Sequence, residues 1–360
     1  MPRRTPGVEV SFLWLWRPTL RSVRAQDLQV VAMAWAVASR GYPVRLVVEG
    51  RGTKADLLAW HGLPDLPNLA VDVAPSVLVS LVHRARIAAF TLSRGRRVAV
   101  CRSPRLARFL RGVDPGGTEI VYDVHEVAFD ARDLETIRGC DWLIANSPGT
   151  AARIAAYTGR QDVVAGQNGT SGCRRWSSSG VGAVYAGSLR AFKDADVLAD
   201  AARIAGPIDV IGDDGRSALG AQMASRAGGM LRFLGPMSPS ETRRRLGGYG
   251  VGLLPVAPGE YGDALASPLK LWDYLDAGLR VVAADVPAVR AAWATSGSAQ
   301  AGPPPPFLGY QAGDPGSLAE AIARARRARR PDPWTRSWGD RADELLALLG
   351  VEGAAAVARR

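Results

Sequence analysis

Lysine is scarce in this chain, and two of its three lysines stand where they could bind phosphate. The 360 residues include 42 Arg but only Lys54, Lys193 and Lys270. Lys193 and Lys270 each fall where a loop meets a predicted helix in the second half of the chain. An ammonium group is a compact charge on a flexible stem, and helix N-termini attract anions through their free amides. The two positions predict a diphosphate site; the alternative is two surface lysines that survived by chance.

The segment from Ser267 to Gly278 is the most informative part of the sequence. Ser267 can cap a helix, Pro268 suits a first helical turn, and Gly278 can end the helix. Lys270 then lies near the positive end of the helix dipole, where a cation is disfavoured unless an anion lies beside it. Asp273 follows three residues later on the same helical face.

Both halves of the chain alternate short β-branched runs with helical patterns, which predicts parallel sheets with right-handed crossovers. Predicted strands span 8–15, 43–48, 69–73, 97–101, 119–124, 142–146, 181–186, 208–212, 230–234, 251–255 and 280–284. Predicted helices span 28–39, 194–205, 216–227, 239–247, 268–277, 316–329 and 335–349. We therefore expect an α/β fold with two doubly wound domains facing a cleft, with ligands at the carboxyl ends of the strands.

Composition and charge narrow the class of protein. Hydrophobic residues make up 47% and charged residues 22%, which is typical of a globular chain. The net charge of +11 is uneven, because residues 1–175 hold 24 Arg and Lys against 15 Asp and Glu, and residues 84–111 hold nine Arg and no acid. Such a surface suits phosphates, nucleic acid or anionic lipid, and the alternative is a solvated face of an Arg-rich protein.

Other features of the sequence point to a cytoplasmic protein without a metal. No apolar run is long enough to span a membrane, and the pattern of a signal peptide is missing. Cys101, Cys140 and Cys173 share no metal-ligand spacing, so we expect free thiols and no metal site. Small polar residues around 170–180 interrupt the alternation, which indicates a linker.

The order and spacing of several segments resemble the nucleotide-binding domain of GT-B glycosyltransferases, specifically the retaining family 4 type. The second half matches through Val184–Leu189 with Lys193, Val210–Asp213, Leu234-Gly235 and Ser267–Gly278, and the first half through Tyr122–Glu126, Ala145–Ser147 and Asn168-Gly169. The resemblance covers most of the chain and implies a GT-B architecture. It also implies retaining transfer from a UDP- or GDP-linked sugar with no cofactor and no metal.

The resemblance implies the following domains and roles. Residues 1–172 form an acceptor-binding Rossmann-like domain, 173–180 a linker, 181–334 a nucleotide-sugar-binding Rossmann-like domain, and 335–360 hold a helix packing back toward the first domain. The catalytic residues are His125, Lys193 and Lys270; a strand-end histidine without catalytic work is the alternative for His125. The donor contacts are Gly187, Ser188, Arg190, Gly212, Asp213, Leu234, Gly235, Ser267, Pro268, Leu269 and Asp273.

The chain departs from the family pattern at three positions. Ser188 stands at the family's Arg position, so Arg190 is the candidate to replace that Arg. Asp273 matches the ribose-binding glutamate but is one methylene shorter. Leu265 stands where the family places a carboxylate that contacts the transferred sugar, and Glu260 or Asp263 in the preceding loop could replace that carboxylate.

The acceptor is expected on the first domain, at Arg17, Arg21 and Arg24 after the first strand and at Glu126. The arginines suggest an anionic or polar acceptor, or extra contacts to the donor phosphates, and we expect the acceptor to be a small molecule of the natural-product kind. The residues 77–97 mix apolar side chains with arginines, so they could form a basic helix on an anionic membrane, and a membrane-associated enzyme acting on a lipid or glycan is the second interpretation. The alternative for this helix is a core helix with solvated arginines.

Two further interpretations carry less support in the sequence. Nucleic-acid binding would use the same arginines, but the aromatic interleaving and the motifs of RNA-binding modules are missing, so we expect no nucleic-acid partner. A GT-B relative that isomerises or hydrolyses a nucleotide sugar would lack the Ser-Pro-x-Lys segment. We therefore expect a cytoplasmic enzyme whose only membrane contact would be peripheral, at the inner face.

Overall fold

The computed structural model describes residues 9–125, 129–172, 180, 182–294, 306–332, 334 and 336–351. The chain divides into two compact units, one formed by Met1–Gly166 with Trp338–Arg360 and the other by Gln167–Ser337. Each unit is built on one parallel sheet with helical crossovers, so the α/β fold expected from the alternation is confirmed.

The first unit contains a sheet of seven described strands in the order β3-β2-β1-β4-β5-β6-β7. The strands are β1 (Val10–Leu15), β2 (Val44–Glu49), β3 (Leu69–Ala74), β4 (Arg96–Cys101), β5 (Thr118–Val124), β6 (Trp142–Ala145) and β7 (Val163–Ala165). The helices are α1 (Ala25–Ala38), α2 (Lys54–His61), α3 (Ser76–Thr91), α4 (Pro104–Val113), α5 (Ala131–Arg138), α6 (Pro148–Thr158) and α13 (Trp338–Leu348). Helix α13 packs against α1 in this unit.

The second unit contains a sheet of six described strands in the order β10-β9-β8-β11-β12-β13. The strands are β8 (Ala183–Ala186), β9 (Ile208–Ile211), β10 (Leu231–Phe233), β11 (Val251–Leu254), β12 (Arg280–Ala284) and β13 (Leu308–Tyr310). The helices are α7 (Asp196–Ala205), α8 (Ala218–Ala227), α9 (Pro239–Leu246), α10 (Leu269–Asp276), α11 (Pro287–Ala294) and α12 (Pro315–Arg327). A 3-10 turn (Ala191–Lys193) precedes α7, and a π-helical turn (Tyr261–Leu265) precedes α10.

Both sheets reverse their strand order at one place, between β1 and β4 in the first unit and between β8 and β11 in the second. At such a switch point the loops leave the neighbouring strands in opposite directions, and the gap that opens beyond the carboxyl ends of the strands is where doubly wound folds bind ligands. The strands that flank the gap in the second unit, β8 and β11, are buried along their whole length. Buried strands hold the residues at their carboxyl ends in fixed positions.

Four helices begin with the same pattern of residues, which explains why each helix starts where it does. Helices α4, α6, α9 and α12 all begin with a capping side chain followed by Pro at the first helical position, and the capping residues are Ser103, Ser147, Ser238 and Asp314. Each capping oxygen accepts a hydrogen bond from an amide of the first turn, while Pro needs no partner for a missing N–H. These four starts follow the rule that the sequence also suggested for Ser267 and Pro268.

Candidate functional site

The carboxyl ends of three adjacent strands of the second unit form one continuous layer of backbone. The Gly187 N–H, after β8, donates to the Ile211 carbonyl at 2.7 Å, and the Gly212 N–H, after β9, donates to the Gly235 carbonyl at 2.9 Å. The Asp213 carboxylate accepts from the Gly215 N–H at 2.9 Å. The structure thus brings together five of the predicted donor residues: Gly187, Gly212, Asp213, Leu234 and Gly235.

Two glycines in this layer are required by close approach as well as by backbone angle. Gly187 has φ of 149° and Gly212 has φ of 104°, values that favour glycine. A Cβ on Gly212 would lie 3.0 Å from the carbonyl carbon of Gly187, and a Cβ on Gly187 would lie 2.9 Å from Nζ of Lys270. The Lys270 amine therefore lies directly against the chain where it leaves β8.

Lys270 occupies the first turn of α10 and is half-buried. Its ammonium lies 4.0 Å from the centre of the Tyr185 ring, a cation–π contact. No carboxylate among the described residues lies within ion-pair distance of it. Burial first, and then the charge of Lys193, lowers the pKa of Lys270 well below its ordinary value. An anion placed here would remove both penalties.

Lys193 ends the 3-10 turn that follows β8. Its amine donates to the Ser188 hydroxyl at 3.3 Å and lies 3.5 Å from the Ser188 carbonyl oxygen. Burial, and then the neighbouring charge of Arg190, lowers the pKa of Lys193. The Arg190 side chain is exposed. Lys193 and Lys270 therefore repel each other across Ser188, and within the described part of the chain neither has a carboxylate partner.

The turn that carries Lys193 is fixed on both sides. The Phe192 ring packs edge-on against Tyr261 with centroids 4.8 Å apart, and the Phe192 carbonyl accepts from the Ala257 N–H at 3.2 Å. Asp194 has φ of +49°, and its carboxylate accepts from the Gly313 N–H at 2.8 Å and from the Tyr310 hydroxyl at 3.2 Å. The helix predicted over 194–205 therefore begins two residues later, at Asp196, and Asp194 anchors the preceding turn.

The start of α10 differs from the expected cap. Helix α10 begins at Leu269 with Pro268 at the N-cap position, and Pro268 makes no side-chain cap. The Ser267 hydroxyl instead accepts from the Asn168 side-chain amide at 2.7 Å. The capping role expected for Ser267 is therefore wrong. The amide end of α10 is left facing the same region as Lys270, a favourable arrangement for an anion.

Asp273 lies one turn beyond Lys270 on α10. Its carboxylate accepts a hydrogen bond from the Thr170 hydroxyl at 2.7 Å, and burial raises its pKa above the ordinary value. Asn168 thus binds Ser267, just before α10, and Thr170 binds α10 itself. The sequence resemblance includes Asn168-Gly169, but no local signal could have shown which distant side chains Asn168 and Thr170 bind.

Tyr274 was also missed. Its buried hydroxyl accepts from the Ala186 N–H at 2.7 Å and lies 3.2 Å from the Leu253 carbonyl oxygen. It therefore joins β8 to β11 at the switch point and fixes α10, with Lys270, over the strand ends. The ring lies so close to Gly252 that a Cβ there would be 2.7 Å from it, which explains the glycine in β11.

The two acids expected to replace the missing family carboxylate lie around the π-helical turn. Glu260 immediately precedes the turn and Asp263 lies within it, and both side chains are exposed. The Asp263 N–H donates to the Gly259 carbonyl at 2.8 Å. Leu265, the last residue of the turn, is partly buried. The segment expected as a loop is therefore helical from Tyr261 onwards.

In the first unit, His125 follows β5 beside a buried cluster of charges. Asp123 lies between two guanidinium groups, 2.6 Å from Nη2 of Arg102 and 3.3 Å from Nη2 of Arg341. Nε2 of His125 lies 3.1 Å from the Asp123 carboxylate, and Nδ1 lies 3.3 Å from the Asn146 amide nitrogen. This network favours the tautomer with the proton on Nε2 and an accepting Nδ1.

The charges of this cluster set the protonation of its members. Burial opposes ionisation of Asp123, but Arg102 and His125 together hold its pKa well below the usual range. Burial, and then the charge of Arg102, lowers the pKa of His125 to about 4. His125 is therefore neutral at physiological pH.

The predicted acceptor residues Arg17, Arg21 and Arg24 lie in the segment between β1 and α1. The Arg17 guanidinium donates to the Ser80 hydroxyl of α3 at 2.6 Å. Arg21 and Arg24 are exposed, and Arg24 precedes α1 without making a side-chain cap. Glu126 lies outside the described residues.

The described residues contain no group of three His, Cys, Asp or Glu side chains placed to hold a metal ion. They also contain no helix that combines the length and the apolar character needed to cross a bilayer.

No family model and no curated protein matches the chain, but solved structures do. It is similar to Anabaena HepE in complex with UDP and glucose, with 15% identity, a TM-score of 0.61, and coverage of 95% of this chain and 97% of that one. It is also similar to AviGT4, a glycosyltransferase involved in avilamycin A biosynthesis, with 15% identity, a TM-score of 0.61, and coverage of 96% of this chain and 99% of that one. A third similar structure is the catalytic domain of Arabidopsis thaliana starch synthase IV bound to ADP and acarbose. Its identity is 10% and its TM-score is 0.64, and the match covers 96% of this chain and 99% of that one.

These matches extend over nearly the whole chain and include both units. With the two parallel sheets they show that the chain has the GT-B fold, which the sequence resemblance predicted.

Proposed function

We propose that the protein is a retaining glycosyltransferase of the family 4 type, with the Ser-Pro-x-Lys variant of its donor site. It would move a sugar from a UDP- or GDP-linked donor to a small-molecule acceptor of the natural-product kind. The observation that carries the proposal is the pair Lys193 and Lys270, two cations without a carboxylate partner among the described residues, at strand and helix ends that favour phosphate.

The lysines would act on the leaving group. In the transfer, the bond between the anomeric carbon and the diphosphate oxygen breaks and the electron pair leaves with the diphosphate. The acceptor oxygen forms the new bond on the same face of the sugar, and its proton passes to the leaving phosphate oxygen. Preorganised positive charge at the phosphates stabilises the charge that develops there. We propose that Lys193, Lys270 and the first amides of α10 supply this stabilisation without a metal.

The remaining predicted residues would orient the substrates. Asp273 would bind the nucleotide ribose, and Glu260 or Asp263 would contact the sugar in place of the carboxylate that Leu265 replaces. The neutral His125 would donate or accept a hydrogen bond beside the sugar without carrying charge. The complexes of HepE with UDP and of starch synthase IV with ADP support a nucleoside diphosphate as the ligand of this fold.

The test is calorimetric titration of UDP and GDP, and of the matching nucleosides, into the wild type and the Lys193→Ala and Lys270→Ala variants. Losing a charge-assisted hydrogen bond should cost roughly 1.5–3 kcal/mol of diphosphate binding, about ten- to a hundredfold. Nucleoside affinity should not change. Lys54→Ala is the matched control, because Lys54 is the third lysine and pairs with Asp65 in the other unit.

Unchanged diphosphate affinity in both lysine variants would contradict the diphosphate site. Once a donor and acceptor pair is found, NMR of the product gives the anomeric configuration, and we expect retention. Turnover should persist in EDTA; its loss, with recovery on adding manganese or magnesium, would contradict the proposed role of the lysines.

A further inference from the structure

Helix α3 in the first unit is apolar on two opposite faces. Val79, Ile87 and Phe90 point into the core. On the other side, Val77 is 87% exposed, Leu81 is 66% exposed, and Leu92, at the end of the helix, is 85% exposed. A helix apolar all round is normally buried on both faces. The outer face of α3 therefore requires an explanation that the fold of this unit does not supply.

The exposed apolar residues form an ordered stripe and are not scattered. Leu78, Leu81, Ala85, Ala88 and Leu92 recur at alternating spacings of three and four residues, and all are exposed. This spacing keeps them on one side of the helix over roughly 21 Å of its length. We refer to these five residues together with Val77 as the α3 stripe. Single exposed apolar residues are ordinary, but a continuous row of this length marks an interaction surface.

The charges around the α3 stripe have one sign. No Asp or Glu occurs between Asp72 and Asp114 in the sequence. Of the nine arginines in 84–111, six pair with acids from outside that segment, namely Arg86, Arg96, Arg97, Arg102, Arg108 and Arg111. The other three, Arg84, Arg94 and Arg105, are exposed and have no carboxylate partner among the described residues.

Two of these arginines, Arg84 and Arg94, lie on α3 or just after it. Arg84 is on α3 itself, with its guanidinium 5.2 Å from the Phe109 ring centre, and Arg94 follows the end of the helix. Arg17 reaches the same helix through its hydrogen bond to Ser80. An apolar row flanked by uncompensated guanidinium groups is complementary to a surface that is apolar inside and anionic outside.

We propose that the α3 stripe docks the protein on the surface of an anionic lipid bilayer. The helix would lie in the plane of the interface, with Val77, Leu78 and Leu81 among the acyl chains and the arginines at the headgroups. This is how interfacial helices combine apolar burial with electrostatic attraction. A second copy of the chain is the poorer occupant, because a symmetric contact through this face would bring the arginines of both copies into one interface, and α3 carries no acid to pair with them.

The test is co-sedimentation of the full chain with vesicles of phosphatidylcholine alone and of phosphatidylcholine mixed with phosphatidylglycerol. We expect binding to the mixed vesicles only, weakening as salt is added. Leu81→Gln should lower the partition coefficient roughly tenfold, through loss of one buried leucine. Arg84→Gln should lower it about fivefold, through loss of one basic residue near the surface.

The second unit offers matched controls on α7. Ile204 is 65% exposed, which matches Leu81, and Arg203 is exposed as Arg84 is. Ile204→Gln and Arg203→Gln should bind like the wild type, and equal thermal midpoints should show that every variant is folded.

Three outcomes would overturn the proposal. The first is equal binding to both kinds of vesicle, or no binding to either. The second is full binding by Leu81→Gln together with loss in Arg84→Gln, which would indicate a general polyanion surface such as one for nucleic acid. The third is a lipid-free dimer in sedimentation velocity that Leu81→Gln dissociates, which would assign the stripe to a second copy of the chain.

Discussion

At the scale of single residues, the candidate site depends on which atoms are missing as much as on which are present. Gly187 has no Cβ, and the space that a Cβ would take is the space next to the Lys270 amine. Gly212 likewise allows the strand end after β9 to approach Gly187. The absence of a Cβ at Gly187 and Gly212 therefore determines where the Lys270 ammonium lies in this site.

We expect Gly187→Ala to weaken UDP or GDP binding by roughly tenfold or more, because the new methyl group would displace the Lys270 amine. The left-handed backbone should also cost about 1 kcal/mol of folding free energy. Gly229→Ala is the control, since Gly229 has φ of 85° and open space around its Cβ position. It should show a similar stability cost with unchanged affinity; equal affinity losses in the two variants would contradict the steric explanation.

At the scale of elements, the turn between β8 and α7 is held by a residue in an unfavourable conformation. Asp194 is the one described non-glycine residue with positive φ. Such a conformation persists only when its surroundings fix it. Here the fixing contacts come from Tyr310, at the end of β13, and from Gly313, just after it, so this part of the chain determines where Lys193 lies.

We expect Asp194→Ala to lower the free energy of unfolding by about 2 kcal/mol, since two hydrogen bonds of about 1 kcal/mol each are lost while the left-handed backbone remains. Diphosphate binding should weaken as well, because the Lys193 turn is released. Asp196→Ala, two residues later on the exposed first turn of α7, should change stability by no more than about 0.5 kcal/mol. Denaturant unfolding measures both, and equal effects would contradict the anchoring role of Asp194.

The same elements show what could be predicted from the sequence. Eleven strands and seven helices were predicted to within a few residues, because β-branched runs, helical spacing and Gly or Pro at the ends are local signals. Helix α3 was predicted only as a possible basic helix over 77–97, and helices α2, α4, α5, α6 and α11 were not predicted. Strands β7 and β13 were missed because three residues carry no clear periodicity. The role of Ser267 was wrong because Asn168, 99 residues away, binds its hydroxyl. Tyr274 was missed because its hydroxyl joins two strands that only the folded sheet brings together.

At the scale of the whole molecule, buried histidines connect stability to pH. Burial, and then the charge of Arg17, lowers the pKa of His83 to about 4, and that of His125 is also about 4. A histidine in the unfolded chain has a pKa of about 6.5. The unfolded state therefore binds more protons than the folded state, so this stability is complete above pH 6.5 and is lost as the pH falls toward 4.

We expect His83 alone to account for a loss of about 2 kcal/mol in the free energy of unfolding between pH 8 and pH 5. His83→Leu should reduce the pH-dependent loss by that amount. Ile87→Val, at a buried position on the same helix, should lower stability equally at both pH values. Urea unfolding at the two pH values tests this, and an unchanged pH dependence in His83→Leu would contradict the buried, neutral histidine.

The lowered pKa of Lys270 has a consequence for the heat of binding. As the pH rises through that pKa the amine loses its proton, and a bound diphosphate would restore it by taking a proton from the buffer. Binding enthalpies measured in phosphate and in Tris at one alkaline pH should then differ in proportion to the ionisation enthalpies of the buffers. Lys270→Arg should keep the charge and lower the number of protons taken up, because a guanidinium stays protonated. Equal enthalpies for the wild type in both buffers would contradict proton uptake by Lys270. A difference would show that lysine provides a charge that forms on binding, which arginine, used elsewhere in this chain, cannot provide.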